Sequence, residues 1–279
     1  MVMKVHQRWV TNILVGLLLM ILLYLILKDV LITSPLIVRV PSFWNWQPAI
    51  PQMLYWYHHL FAFVPVLLIA IARSMYRCED GLNFRWFVSI FLGSIIFLFW
   101  DWKFTNLGIW GFNANYTMPD RWCGLPLEEC FWFPVIGFCS IYIYVLLRKI
   151  DLNKKFWKFA LFIWLLANVV LVIFYREYLY TSFAAWASIF VSVLAYWSGM
   201  KEELIYFIRS FAVTLIPMVI FDGLLTGMMT GQAVVMYNPS EFSNFRLVSI
   251  PVEDFIFGYA FLLTIVLLHF NINNRLSGN

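Results

Sequence analysis

Eight stretches of this chain, near residues 9–31, 54–72, 86–102, 127–147, 157–175, 178–197, 206–222 and 252–270, are apolar over the length of a bilayer. A helix needs about 20 such residues to cross the hydrocarbon core, where the backbone must satisfy its own hydrogen bonds. Only 12% of the residues are charged and the mean hydropathy is +0.80, whereas a soluble domain carries about 25% charged residues. The expected fold is therefore all-α, a polytopic membrane helical bundle of about eight transmembrane helices. The run from Trp9 to Leu31 is too long for the apolar region of a signal peptide and lacks a small-residue cleavage site, so it is read as a helix.

Lysine and arginine set the expected orientation. With the N-terminus in the cytoplasm, thirteen of the 19 basic residues fall on inner segments and six on outer ones. The bias is strongest at 148–158, which holds Arg148, Lys149, Lys154, Lys155 and Lys158. The loops at 103–125 and 223–250 are then external. A bacterial inner membrane is the expected location, with membrane lipid as the surrounding partner. A dispersed net charge of +4 argues against a nucleic-acid partner. Cys78, Cys123, Cys130 and Cys139 have no metal-ligand or redox spacing and are read as packing residues. No phosphate-cradling glycine motif or serine-hydrolase motif is present, and no metal or cofactor is expected.

The two external loops are related to each other. Asp101, Thr105 and Tyr116 recur as Asp222, Thr226 and Tyr237 at an offset of 121. After a four-residue insertion, Arg121, Pro126, Glu128 and Glu129 recur as Arg246, Pro251, Glu253 and Asp254 at an offset of 125. Six identities and one acidic exchange with a single gap identify an internal duplication. Spans two to four match spans six to eight, and the fifth joins them, so the repeats run in parallel and present their loops on one face. The chain divides into 1–53, an extra N-terminal transmembrane helix with an outer aromatic, proline-rich segment; 54–150, the first repeat; 151–177, a linking helix; and 178–279, the second repeat.

Each motif, Leu125-Pro126-Leu127-Glu128-Glu129 and Ile250-Pro251-Val252-Glu253-Asp254, opens a spanning helix. Proline and carboxylates suit a helix N-terminus, which is the bland explanation. Against it, acids entering a membrane are costly and mark functional sites. Neighbouring helical residues point about 100° apart, so one acid of each pair is expected to face the bundle centre. Arg121 and Arg246, five residues before each proline, are candidates to pair with one carboxylate per repeat. A paired and an unpaired carboxyl would separate proton acceptor from proton donor. Asp101, Asp222, Tyr116 and Tyr237 are candidate supports. Adjacent His58 and His59 are read as interfacial side chains rather than metal ligands, and His269 as a side chain compatible with the dipole near the C-terminal end of its helix.

These residues resemble a known family, the integral-membrane lycopene cyclases of the heterodimeric or fused bacterial, archaeal and fungal type. The resemblance rests on Trp100-Asp101, Phe104-Thr105, Gly108-Ile109-Trp110-Gly111-Phe112-Asn113, Tyr116 and Leu125 to Glu129 in the first half. In the second half it rests on Asp222-Gly223, Leu225-Thr226-Gly227, Val235, Tyr237-Asn238, Arg246 and Ile250 to Phe255. It covers about residues 54–271, and that family is itself built of two homologous halves. The extra N-terminal helix and Arg121-Trp122-Cys123 depart from the pattern.

The resemblance implies non-redox, proton-initiated cyclisation of a linear polyene end, with Glu128, Glu129, Glu253 and Asp254 as the catalytic acids and bases. The implied partner is lycopene or a related linear carotenoid, the expected product a β-ring, and other carotenoid-pathway enzymes are further candidate partners. Trp100, Trp110, Trp132 and Tyr237 are candidates to stabilise the cation through their π faces. Rival readings are weaker. Asp101 and Asp222 lack the clustered aspartates of a magnesium-diphosphate site, and the late helices lack a Schiff-base lysine. A membrane transporter or carotenoid-binding protein with parallel repeats, or a cyclase acting on another polyene, stays open as the alternative.

Overall fold

A computed structural model describes residues 48–75, 82–148, 150 and 153–276, with side chains described to residue 273. The first predicted span, 9–31, lies outside the described residues. The remaining seven predicted spans are helices: α1 (Leu54–Met75), α2 (Phe84–Asn106), α3 (Leu127–Arg148), α4 (Lys154–Phe174), α5 (Leu179–Trp197), α6 (Lys201–Leu225) and α7 (Val252–Leu276). A 3-10 turn, Pro51–Met53, leads into α1. The fold is an all-α polytopic bundle, and its seven described helices are long and apolar enough to cross a membrane.

Side-chain placement follows from lipid outside and protein inside. On α4, Phe156, Phe159, Phe162, Leu166, Val170 and Ile173 are exposed, and on α1 Leu60, Phe61, Leu68 and Ile69 are. Bilayer tails solvate such faces at no cost. α7 is the opposite case, buried almost continuously from Phe255 to Leu267. It packs against α2, α3 and α5. The contact with α2 is closest at Gly93, where a β-carbon would stand 2.6 Å from Ile265 Cγ1.

The duplication is plain in three dimensions. α1, α2 and α3 correspond to α5, α6 and α7, and α2 packs on α7 as α6 packs on α3, each half lending a helix to the other. Three short strand pairs sit beyond the helices. β1 (Trp110–Phe112) pairs antiparallel with β4 (Val235–Tyr237), β2 (Arg121–Trp122) with β3 (Leu125–Pro126), and β5 (Arg246–Leu247) with β6 (Ile250–Pro251). The last two are tight hairpins that deliver the prolines straight into α3 and α7. In the first, Cys123 and Gly124 both have positive φ (51° and 92°), as a two-residue primed turn requires.

The β1–β4 ladder ties the two loops together and corrects their alignment. Its register pairs Trp110 with Tyr237, Gly111 with Met236 and Phe112 with Val235, which is symmetric under the 125-residue offset. Flanking bonds obey the same rule: Asn113 N–H donates to Val234 O (2.8 Å) and Asn238 N–H to Ile109 O (2.9 Å). The counterpart of Tyr237 is therefore Phe112, not Tyr116. The four extra residues fall earlier, between Thr226 and the strand, because hydrogen-bond register rather than residue identity fixes equivalence.

Candidate active site

The helix starts position the acids. Glu128 is fully buried and accepts from Met118 N–H at 2.7 Å, and Glu253, also fully buried, accepts from Ser243 N–H at 2.8 Å. These are equivalent bonds at the 125 offset, and each folds the preceding loop back onto its helix. Thr181 adds a hydroxyl donor to Glu253 at 2.5 Å. The other acid of each pair, one position on, points into the bundle instead. Glu129 and Asp254 line one shared cavity with Asp101, Asp222, Tyr55, Tyr180, Tyr237, Trp110, Trp132, Phe133 and Phe257. Asp101 comes from the C-terminal end of α2 and Asp222 from that of α6, so four carboxyl groups from four helix ends meet there.

Aromatic donors hold these carboxyls. Tyr55 donates to Glu129 Oε2, Tyr180 to Asp254 Oδ1 at 2.5 Å and Tyr237 to Asp254 Oδ2 at 2.7 Å. Trp110 Nε1–H donates to Asp101 Oδ1 at 2.7 Å. Asp222 stands near enough to Asp254 for the two carboxyls to repel each other when both are charged. The rings of Tyr180 and Tyr237 stack 6.0 Å apart, with Trp110 edge-on to Tyr180 at 4.9 Å. Burial, reinforced by the neighbouring Asp254, pushes the Tyr237 phenol well above its ordinary value, so it stays a donor.

Several sequence candidates stand elsewhere. Arg121 donates to the carbonyls of Met118 and Asp120 and to Thr117 Oγ1 (2.9 Å), rather than pairing with a motif carboxylate. A guanidinium with five donors is satisfied by loop carbonyls at no desolvation cost near the surface. Arg246 donates to Ser249 O and lies over the rings of Tyr237 (5.6 Å) and Phe242 (4.9 Å), behind the cavity wall. Tyr116 packs against the small cluster of Leu54, Tyr55, Leu224, Leu225 and Val234 and does not itself line the cavity. Trp110, Trp132 and Tyr237 reach the cavity, whereas Trp100 packs behind it against Phe97, Phe104 and Phe257. His59 Nε2–H donates to Glu128 O at 2.8 Å and anchors α1 to α3, with His58 Nδ1 3.4 Å from His59 Nδ1.

Tyr55 and Tyr180 are absent from the sequence-based candidates. A signal for them exists: they stand 125 residues apart, the offset of the acidic motifs, each in the first turn of its helix.

Fold and site together define a duplicated, multi-pass membrane protein whose halves close over one carboxyl-lined, aromatic cavity. A family model described as lycopene cyclase matches residues 52–147 and 177–271, the two repeats, and the chain belongs to that family. Membership makes it an enzyme of carotenoid cyclisation with a carotenoid substrate. Searches among curated proteins and among solved structures find no match.

Proposed function

We propose that the protein is a lycopene cyclase that closes β-rings by protonation and deprotonation alone, with Glu129 and Asp254 as the groups facing substrate and Asp101 and Asp222 beside them. The supporting observation is the convergence of these four carboxyls with Trp110, Trp132 and Tyr237 on one cavity. Four carboxyl groups crowded together in an apolar site cannot all be ionised, so the cluster offers both protons and acceptors. Aromatic faces suit a carbocation, which has no hydrogen bond to make and gains from the ring quadrupole.

A proton added to the terminal double bond of the polyene leaves a tertiary cation. The next double bond attacks it, closing a six-membered ring, and loss of a proton restores neutrality. Substrate and product are isomers, so the balance requires no oxidant, nucleotide or metal. Glu128 and Glu253 hold the motif loops in place. The proposed setting is a bacterial inner membrane with the N-terminus cytoplasmic and both motif loops outside, an orientation supported by the basic residues at 148–158.

Expression of this chain alone in a lycopene-accumulating bacterial host tests the reading. Cyclic carotenoid is expected by pigment chromatography with no cofactor supplied. Unaltered lycopene alongside protein detected in the membrane would count against it and leave either another polyene substrate or a non-enzymatic role.

A further inference from the structure

The proposed reaction needs one group that gives a proton and another that takes one, and this inference rests on that reading. The first-turn tyrosines, the β1 and β4 strands and the motif acids of the two halves correspond at the 125 offset, so departures from equivalence among them show where the halves differ in task. Glu129 accepts one phenol, from Tyr55, on Oε2, and its Oε1 has no hydrogen-bond partner among the described residues. Asp254 has a phenol on each oxygen, Tyr180 on Oδ1 at 2.5 Å and Tyr237 on Oδ2 at 2.7 Å. The second phenol has no twin, because the counterpart of Tyr237 is Phe112, which carries no hydroxyl. The arginines differ in the same sense. Arg246 stands behind the Tyr237 ring at 5.6 Å, whereas Arg121 is turned to loop carbonyls.

A carboxyl with a bare oxygen facing the cavity can present a proton there. One whose two oxygens already accept donors, with a cation behind them, is built to be an acceptor. We infer that the halves have divided the reaction: Glu129 delivers the proton, and Asp254, held by Tyr180 and Tyr237 as positioning residues, removes it. The proton from Glu129 Oε1 adds to C2 of the terminal C1=C2 double bond, whose π pair forms the new C–H bond and leaves the cation at C1. The C5=C6 pair then forms the C1–C6 bond and moves the cation to C5. Asp254 takes the proton from C6, and that C–H pair becomes the ring double bond of a β end. One proton has moved from Glu129 to Asp254. Asp222 and Asp101, in the same cavity, offer its return path.

Removal from C6, C4 or the C5 methyl gives β, ε or γ rings, so the position of the base is read in ring type and that of the acid in rate alone. In the lycopene host, Tyr55→Phe and Glu129→Asp are expected to lower total ring formation about tenfold or more with ring type unchanged. Tyr237→Phe and Asp254→Glu, which loosen the base or advance it by one methylene, are expected to add ε or γ rings as well as slowing turnover. The aspartate and glutamate variants keep the carboxyl and serve if a tyrosine variant fails to accumulate. Ring type altered by the Glu129-side variants, or unaltered by the Asp254-side variants, overturns the division. A wild-type chain that makes no cyclic product would instead overturn the underlying cyclase reading.

Discussion

At the scale of single residues, the separation of Glu128 from Glu129 shows what one step along a helix does. The two carboxyls differ by about 100° in direction. One is consumed by a loop N–H and the other enters the cavity. The sequence implies that one acid of each pair faces inward without saying which; the geometry separates them and predicts two phenotypes. Glu129→Gln and Asp254→Asn are each expected to cut lycopene turnover at least about 100-fold, with membrane abundance unchanged, because an amide keeps the shape but not the proton chemistry. Glu128→Gln and Glu253→Gln are expected to act on the fold, costing about 1–3 kcal/mol through a weakened buried hydrogen bond. Pigment chromatography and thermal unfolding in detergent measure the two effects. A wild-type turnover for both Glu129→Gln and Asp254→Asn would remove these groups from the chemistry.

Among the helices, the cavity depends on how closely α2 can approach α7. No hydrophobic force drives helices together inside lipid, so packing of small residues sets the distance. Gly93 against Ile265 is such a point, and a β-carbon on Gly137 of α3 would stand 3.2–3.3 Å from Ile90, Ile265 and Phe261. Gly93→Val is expected to destabilise the bundle by about 1–3 kcal/mol through overpacking. Ile265→Ala in the same chain should recover part of that loss, since it removes the side chain the new methyls meet. Measuring thermal stability of wild type, both single variants and the double variant gives the coupling. Strictly additive effects would mean that the contact does not limit the approach. The far end of the bundle is fastened differently, by the Lys154–Glu202 ion pair (2.6 Å) and by Glu203, which takes Arg148 and the Tyr144 hydroxyl (2.5 Å).

For the whole molecule, duplication has produced one cavity instead of two sites. Each half contributes an acid, a first-turn tyrosine and a helix-end aspartate to the same space. A linear polyene with two ends must then present them one at a time, so a monocyclic product is expected to rise and fall before the bicyclic one in a time course on isolated membranes. Bicyclic product appearing from the first turnover without a monocyclic precursor would contradict a single working cavity. The topology is testable through Cys123, exposed in the first motif hairpin. A membrane-impermeant thiol reagent should label it in intact cells, while Asn153→Cys in a Cys123→Ser background should stay unlabelled until the cells are opened. The reverse pattern would invert the orientation.

Much of this was legible in the chain itself. Spanning helices can be read off because lipid forces every apolar stretch of that length to close its own hydrogen bonds, a local requirement needing no knowledge of neighbours. The repeat was legible from Asp101 and Asp222 and from the two Pro-x-Glu-acid motifs, and it implied that both loops lie on one face. Which acid turns inward, that Arg121 bonds loop carbonyls while Arg246 bonds Ser249 O and lies over the Tyr237 and Phe242 rings, and that Phe112 rather than Tyr116 answers Tyr237 were decided only in three dimensions. Tyr55 lies 74 residues from Glu129, and Tyr180 lies 74 residues from Asp254. Such partners are set by helix rotation and strand register, which the packing of seven described helices fixes together and no local stretch encodes alone.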